Sequence, residues 1–240
     1  MAWTCSGISN QTMVRKLEQA SLISTPAVID AFLRVDRGWF VSDFHKGMAY
    51  NDSPLPIGYG ATISAPHMHA IMVEILAPYL LETAGSQNKR VLDIGSGSGY
   101  LTVILAFLSG PGSQVVGVEH VEQLRQRSLD VVKEHFPQWV NEGRISFING
   151  DGRDISKIFP NFKSSFDVLH VGAAASTVPQ SYFDSLRPGG CLVIPVGEEG
   201  DIQVLRIYKK DANGKVEMTT RGIVQFVPLT SLGHQIKRHK

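Results

Sequence analysis

From residue 90 onward, short and nearly uninterrupted apolar runs alternate with stretches of helical period. The runs 90–94, 114–118, 144–148, 166–171 and 191–196 read as strands, and 100–108, 121–136 and 180–186 as the helices between them. Strands that are apolar on both faces and separated by helices predict a parallel sheet covered on both sides. After Pro195 the pattern changes. Residues 202–208 and 216–227 read as two further strands, joined by Asp211-Ala212-Asn213-Gly214-Lys215, whose Asn-Gly pair signals a tight hairpin. The expected fold is therefore α/β: a Rossmann-like, doubly wound, mainly parallel sheet with an antiparallel C-terminal edge.

The first part of the chain reads as helices and a loop. Met13, Val14 and Leu17 place a helix over 12–20. Thr25-Pro26 reads as an N-cap followed by proline at the first helical position, opening a helix over 27–35. Residues 51–60, with two prolines, two glycines and Asn51-Asp52-Ser53, read as a loop, and long loops in compact domains are often functional. Ser64-Ala65-Pro66 opens another helix over 67–81. Met68, Ile71, Met72, Ile75 and Leu76 form its apolar face, and Pro78 is expected to end or bend it. Residues 85–89 read as a linker.

A length of 240 residues suits one domain over 1–240, with N-terminal helices and a substrate-side loop in 1–89 and the α/β core in 90–240. Hydrophobic residues make up 43% and charged ones 19%, as in ordinary soluble proteins. A net charge of +1 without a basic stripe argues against nucleic acid as a partner, and Lys237-Arg238-His239-Lys240 reads as a solvated tail. Cys5 and Cys191 are far apart and form no CxxC, so no metal or redox site is expected; Cys191, in an apolar run, reads as a small buried hydrophobe. The N-terminal segment has no apolar core of a signal peptide, and no apolar stretch is long enough for a membrane span. The expected compartment is the reducing cytoplasm.

The chemistry concentrates at the ends of three successive strands. Asp93 closes the first, and Gly95, Gly97 and Gly99 follow at alternate positions, where open α/β sheets bind ligands. This is GxGxG, not the GxGxxG of dinucleotide binders, and no Tyr-x-x-x-Lys accompanies it, which argues against a nicotinamide enzyme. Glu119, ending the second strand, can accept from both hydroxyls of a ribose. Asp151-Gly152, after the third, can meet an adenine through a carboxylate and a backbone amide. Each feature has a plainer reading alone: a capped loop, a solvated helix-start charge, an ordinary turn. In register at three strand ends they point to an adenosyl sulfonium, which needs no pyrophosphate cradle, and so to S-adenosyl-L-methionine.

Ala61-Thr62-Ile63-Ser64-Ala65-Pro66-His67-Met68-His69-Ala70 resembles the signature segment of the protein-L-isoaspartate (D-aspartate) O-methyltransferases. The resemblance continues through 92–102, Gly150-Asp151-Gly152-Arg153, 170–175, Arg187-Pro188-Gly189-Gly190 and Val227-Pro228-Leu229-Thr230, and includes Met1-Ala2-Trp3 and Asp52-Ser53-Pro54. It covers nearly the whole chain. The glycine loop is common to many methyltransferases, whereas 61–70 is specific to this family.

The resemblance implies a class I methyltransferase fold and methylation of the free α-carboxylate of isoaspartyl residues in damaged proteins, with D-aspartyl residues secondary and a monomer as the family expectation. Ser64 matches the family's key hydroxyl, with helix capping as the plainer role. Ala61, Thr62, Ile63 and Ser64 flank the methionine part of the cofactor. His69 lies against it, Ser98 in the glycine loop with Asp93 and Gly95, Glu119 at the ribose, and Asp151 and Gly152 at the adenine. Thr230 and Gln235 lie in a C-terminal segment folded over the site. The chain departs from the family pattern at Glu198-Glu199-Gly200-Asp201 and after Thr230, which bears on peptide preference and on Gln235. Two alternatives remain at this stage: a methyltransferase for a small-molecule carboxylate, and a non-catalytic S-adenosylmethionine-binding adaptor.

Overall fold

The computed structural model describes residues 5–81 and 88–237. The segment Met1-Ala2-Trp3, most of the expected 85–89 linker and Arg238 to Lys240 lie outside the described residues. Helices α1 (Asn10–Gln19) and α2 (Pro26–Arg34), with two 3-10 turns at Arg37–Phe40 and Asp43–Met48, form the N-terminal part. Strands β1 (Leu55–Gly58) and β2 (Ala61–Ile63) and helix α3 (Pro66–Leu80) follow. The core then alternates β3 (Arg90–Ile94), α4 (Tyr100–Ser109), β4 (Gln114–Glu119), α5 (Glu122–His135), α6 (Pro137–Asn141), β5 (Ile145–Asn149), β6 (Phe166–Val171), α7 (Gln180–Ser185) and β7 (Leu186–Val196). The chain closes with β8 (Gln203–Lys210), β9 (Val216–Val224) and α8 (Leu232–Lys237).

Seven strands form one sheet in the order β5-β4-β3-β6-β7-β8-β9. The first five are parallel, and β8 and β9 are antiparallel. The expected doubly wound sheet with an antiparallel edge is thus the observed one. The winding reverses between β3 and β6, and such a switch point opens a crevice at the carboxyl ends of the strands. Helix α4 buries nine of its ten residues against α2, α3 and the sheet, which explains why it is apolar on all sides. Each Val, Ile or Leu buried there contributes about 1.5–3 kcal/mol, so the helix that begins at the glycine loop is firmly anchored.

The N-terminal part departs from the pattern in several places. Residues 51–60 are not all loop: β1 lies within them and pairs antiparallel with β2, Leu55 opposite Ile63 and Pro56 opposite Thr62. Thr25 sits at the N-cap of α2 but makes no side-chain cap; its hydroxyl donates to Glu74 Oε1 at 2.6 Å instead. The N-cap of α3 is Ala65, not Ser64, with no side-chain cap. Pro78 does not end α3, which runs on to Leu80 with Pro78 on its exposed side. The buried face of α3 is also rotated from the expected one: His69, Ala70, Val73, Ala77 and Leu80 are buried with Met72 and Leu76, while Met68, Ile71 and Ile75 are half-buried. The last strand stops at Val224, and β7 begins at Leu186, before the expected 191. No helix among the described residues is long and apolar enough to cross a membrane.

Candidate active site

The glycine loop links β3 to α4. Gly95, Gly97 and Gly99 have φ of 72°, 53° and 81°, in the left-handed region that glycine enters without Cβ strain. The loop's amides are turned inward. Gly95 and Ser96 donate to the Val118 carbonyl at 2.8 and 3.1 Å, Gly99 to the Ser96 carbonyl at 2.8 Å, and Gly97 to Glu119 Oε2 at 3.1 Å. A pyrophosphate binder aims such amides at its ligand. Here they are spent on the protein, and a carboxylate faces the cleft, which suits a cationic ligand.

Glu119 is 5% exposed. Its Oε1 accepts from the Val121 amide at 2.9 Å. Each oxygen therefore keeps a lone pair for a ligand hydroxyl. Burial pushes its carboxyl above the ordinary glutamate value of 4.5, against the lowering effect of the Val121 amide, His120 and the Gly97 amide. Asp93, 1% exposed, is committed beneath the loop: Oδ1 to His170 Nδ1 at 2.7 Å and Oδ2 to the Thr102 hydroxyl at 2.6 Å. Asp151 is held by Arg153 through both carboxylate oxygens, at 2.9 and 2.5 Å, which lowers its carboxyl below the ordinary range. A ligand amine at Asp151 therefore uses lone pairs that Arg153 leaves. A Cβ at Gly152 would overlap Ile94 Cγ2, so only glycine brings this backbone so near β3.

Two clefts meet over the loop. The larger, about 560 Å³ and open to solvent, is lined by Ala61, Thr62, Gly95, Glu119, Asp151, Gly152, Thr230 and Gln235 among others. The smaller, about 340 Å³, is lined by Thr62, Ile63, Ser64, His69, Asp93, Gly95 and Ser98, with Ser96 and His170. Every residue that the resemblance places at the cofactor thus lines one cleft or the other, whereas Gly99 of the loop lines neither. Ser64 is half-buried, and its hydroxyl has no hydrogen-bond partner among the described residues. Ser96 Oγ is buried and likewise without a partner. A buried orphan hydroxyl costs about 1–3 kcal/mol unless something meets it, so the smaller cleft is shaped for a polar ligand.

The C-terminal segment reaches over the larger cleft. Leu229 donates to the Ala174 carbonyl at 2.7 Å, and the Gln235 amide bridges the mouth, with Oε1 2.8 Å from His120 Nε2 and Nε2 donating to the Tyr59 carbonyl at 2.8 Å. Sequence reasoning missed His120 and Tyr59. His120 directly follows a strand-end carboxylate, which was its one available signal.

These residues fit S-adenosyl-L-methionine on their own geometry: a carboxylate with free lone pairs at one strand end, a glycine-walled approach at the next, and unpaired hydroxyls in the adjoining cleft. Comparison with known proteins agrees. The family model described as protein-L-isoaspartate(D-aspartate) O-methyltransferase matches residues 8–234. Protein-L-isoaspartate O-methyltransferase 1 of Arabidopsis thaliana is 39% identical over 237 residues, covering 98% of this chain and 97% of that protein. Protein-L-isoaspartate O-methyltransferase of Caenorhabditis elegans is 38% identical over 239 residues, covering the whole of both. A Plasmodium falciparum crystal structure, described as a protein-L-isoaspartate O-methyltransferase in complex with S-adenosyl-L-homocysteine, superposes with a TM-score of 0.82 at 32% identity, covering 92% of this chain and 98% of that one.

Proposed function

This chain belongs to the protein-L-isoaspartate(D-aspartate) O-methyltransferase family, and from that premise we infer both its reaction and the division of labour between its two clefts. It is an S-adenosyl-L-methionine-dependent methyltransferase that methylates the free α-carboxyl of L-isoaspartyl residues, and secondarily of D-aspartyl residues, in damaged proteins and peptides. The ester closes to a succinimide that reopens in part to normal aspartate, which is the repair. The larger cleft is assigned to the adenosyl part, with Glu119 at the ribose and Asp151 and Gly152 at the adenine. The smaller cleft is assigned to the methionine part and the incoming carboxylate.

When bound, the cofactor supplies an electrophilic methyl on a positively charged sulfur. The acceptor carboxylate is already ionised near neutral pH, so the protein needs no general base. Its task is to align the acceptor and exclude water, which can account for several kcal/mol of barrier. Ser64 is assigned that role: its hydroxyl donates to one carboxylate oxygen and leaves the other aimed at the methyl. The observation carrying this assignment is that Ser64 does not cap α3 and points no hydrogen bond at another described residue, yet lines the smaller cleft. Gln235, bridging His120 and Tyr59, is assigned to closing the site. A cytoplasmic monomer that acts on peptides and proteins, without nucleic acid or membrane, completes the reading.

The test is methyl transfer from labelled S-adenosyl-L-methionine to an isoaspartyl peptide and to its normal aspartyl twin. Labelling of the first alone is expected. Equal labelling of both, or labelling only of small carboxylic acids, overturns the reading.

A further inference from the structure

Arg37 is 0% exposed, yet no described carboxylate forms an ion pair with it. Its Nε donates to the Ala49 carbonyl at 2.8 Å and its Nη2 to the Ser53 carbonyl at 3.4 Å. Its Nη1 lies 3.4 Å from His69 Nδ1. Buried charges are normally paired, because an unpaired one loses its hydration without return. Desolvation lowers the guanidinium to about 10, so it is still cationic at neutral pH.

A guanidinium has only donors. The nitrogen facing it must therefore offer a lone pair, and the remaining proton of a neutral imidazole must sit on Nε2. His69 is 5% exposed and borders the smaller cleft beside Ser64 and Ser96. We propose that Arg37 is a positioning residue that locks His69 as its Nε2–H tautomer, making the cleft-side edge of the ring a permanent donor to a carboxylate. This rests on the reading that the smaller cleft receives a carboxylate, either the cofactor's own or the acceptor's.

The groups that act on this imidazole are Arg37, His170 and His67, with the Tyr100 ring 5.1 Å away. None offers an acceptor to Nδ1. Burial first, and the Arg37 guanidinium second, hold the ring neutral well below the ordinary histidine range. The donor is thus unaffected by pH across the neutral region.

Imidazole nitrogen-15 spectra of histidine-labelled protein report tautomer and protonation directly, with His69 identified by the signal lost in His69→Gln. The expected result is a single neutral Nε2–H form from about pH 5 to 8. An Nδ1–H form, or an imidazolium in that range, overturns the proposal. In Arg37→Met, where Nδ1 faces no donor, Nδ1–H or imidazolium signal should appear, and Arg37→Lys should restore the single form; an unchanged Arg37→Met spectrum also overturns it. If Arg37→Met does not fold, the unsubstituted protein still decides the tautomer. Adding S-adenosyl-L-homocysteine, 5′-methylthioadenosine or an isoaspartyl peptide then locates the carboxylate. A shift of the Nε2–H signal with the first but not the second assigns it to the cofactor, and a shift only with the peptide assigns it to the acceptor. No shift with any of the three overturns the carboxylate role. These spectra can be read whether or not the protein labels an isoaspartyl peptide, so failure of this inference and failure of the activity reading are separate results.

Discussion

Replacing Glu119 should weaken cofactor binding far more than it weakens the fold. Glu119→Ala removes the carboxylate at the end of β4 that the proposed reading assigns to the ribose. Hydrogen bonds to a charged partner are worth about 1.5–3 kcal/mol each, and two are at stake. Water entering the vacated space recovers part of this, leaving about 3 kcal/mol, or roughly a hundredfold in affinity. The fold also loses an acceptor for the Gly97 and Val121 amides, at 3.1 and 2.9 Å. Against that stands the relief of removing a carboxyl that burial disfavours in its charged form. A net destabilisation of about 2 kcal/mol follows, or a fall in Tm of roughly 4–8 °C for a chain of this size. Glu119→Gln keeps one accepting oxygen but turns an NH2 toward the other partner, so about a tenfold loss of affinity is expected.

The assay is isothermal titration with S-adenosyl-L-homocysteine, paired with thermal unfolding of the same samples. Affinity within threefold of the unsubstituted protein, with the expected loss of Tm, would show that Glu119 only braces the loop. The pH dependence carries an independent check. Burial raises the folded carboxyl above 4.5, so the folded state holds a proton where the unfolded chain has released it. The contribution of Glu119 to folding is therefore most favourable below 4.5 and is lost as pH rises through the folded value. Ligand binding has the opposite sense, because the ribose needs the ionised form. Affinity should fall as pH drops through a value above 4.5, and Glu119→Gln should abolish that fall.

Ser64→Ala should lower kcat by tenfold or more while leaving S-adenosyl-L-homocysteine affinity nearly intact; unchanged turnover in a steady-state assay would remove Ser64 from the mechanism. Gly152→Ala should destabilise the protein by about 1–3 kcal/mol and weaken the cofactor as well, because its Cβ would overlap Ile94; a Tm equal to that of the unsubstituted protein would mean that β3 yields without cost. Gln235→Ala cuts both the His120 and Tyr59 links, and stopped-flow release of S-adenosyl-L-homocysteine should be severalfold faster, whereas an unchanged rate would leave α8 without a part in closing the site.

What could be read from the sequence was the part in which one residue type has one reason to be there. Mostly apolar runs such as 166–171, broken only by Asp167 and His170, belong to strands covered on both faces, and β6 occupies those very residues. The glycines at 95, 97 and 99 mark left-handed backbone that other residues avoid. The β1–β2 hairpin was hidden because Pro54, Pro56, Gly58 and Gly60 carry the signature of a loop. A two-stranded ribbon has only edges, where proline costs no ladder bond. Helix α8 buries no residue, so no apolar period announces it; two side-chain bonds from Gln235 hold it. Arg37 was invisible for the opposite reason. A charged residue in a sequence reads as surface, and only the packing of the Arg37–Phe40 turn against α3 and α4 shows it to be buried.

The two clefts share Thr62, Gly95, Gly97 and Gly172, and the proposed reading places the chemistry where they join. A sulfonium links the ribose end of the cofactor to its methionine end, so a ligand spanning both clefts carries its methyl past this junction. Three of the four shared residues are glycines, and a Cβ on Gly172 would lie 2.8 Å from the Gly95 carbonyl. The floor is therefore bare backbone from two adjacent strand ends, β3 and β6, at the reversal of the sheet. Nothing on that floor distinguishes one acceptor from another. On the proposed reading selection falls to the residues of β2 and the start of α3 that line the smaller cleft, among them Thr62, Ser64 and His69. The strand ends then hold the adenosyl part of the proposed donor, and the hairpin and helix that precede them hold its methionine part and the carboxylate that receives the methyl. On that reading Glu119→Ala should act chiefly on cofactor affinity and Ser64→Ala chiefly on turnover, whereas changes at Thr62, which lines both clefts, should move both.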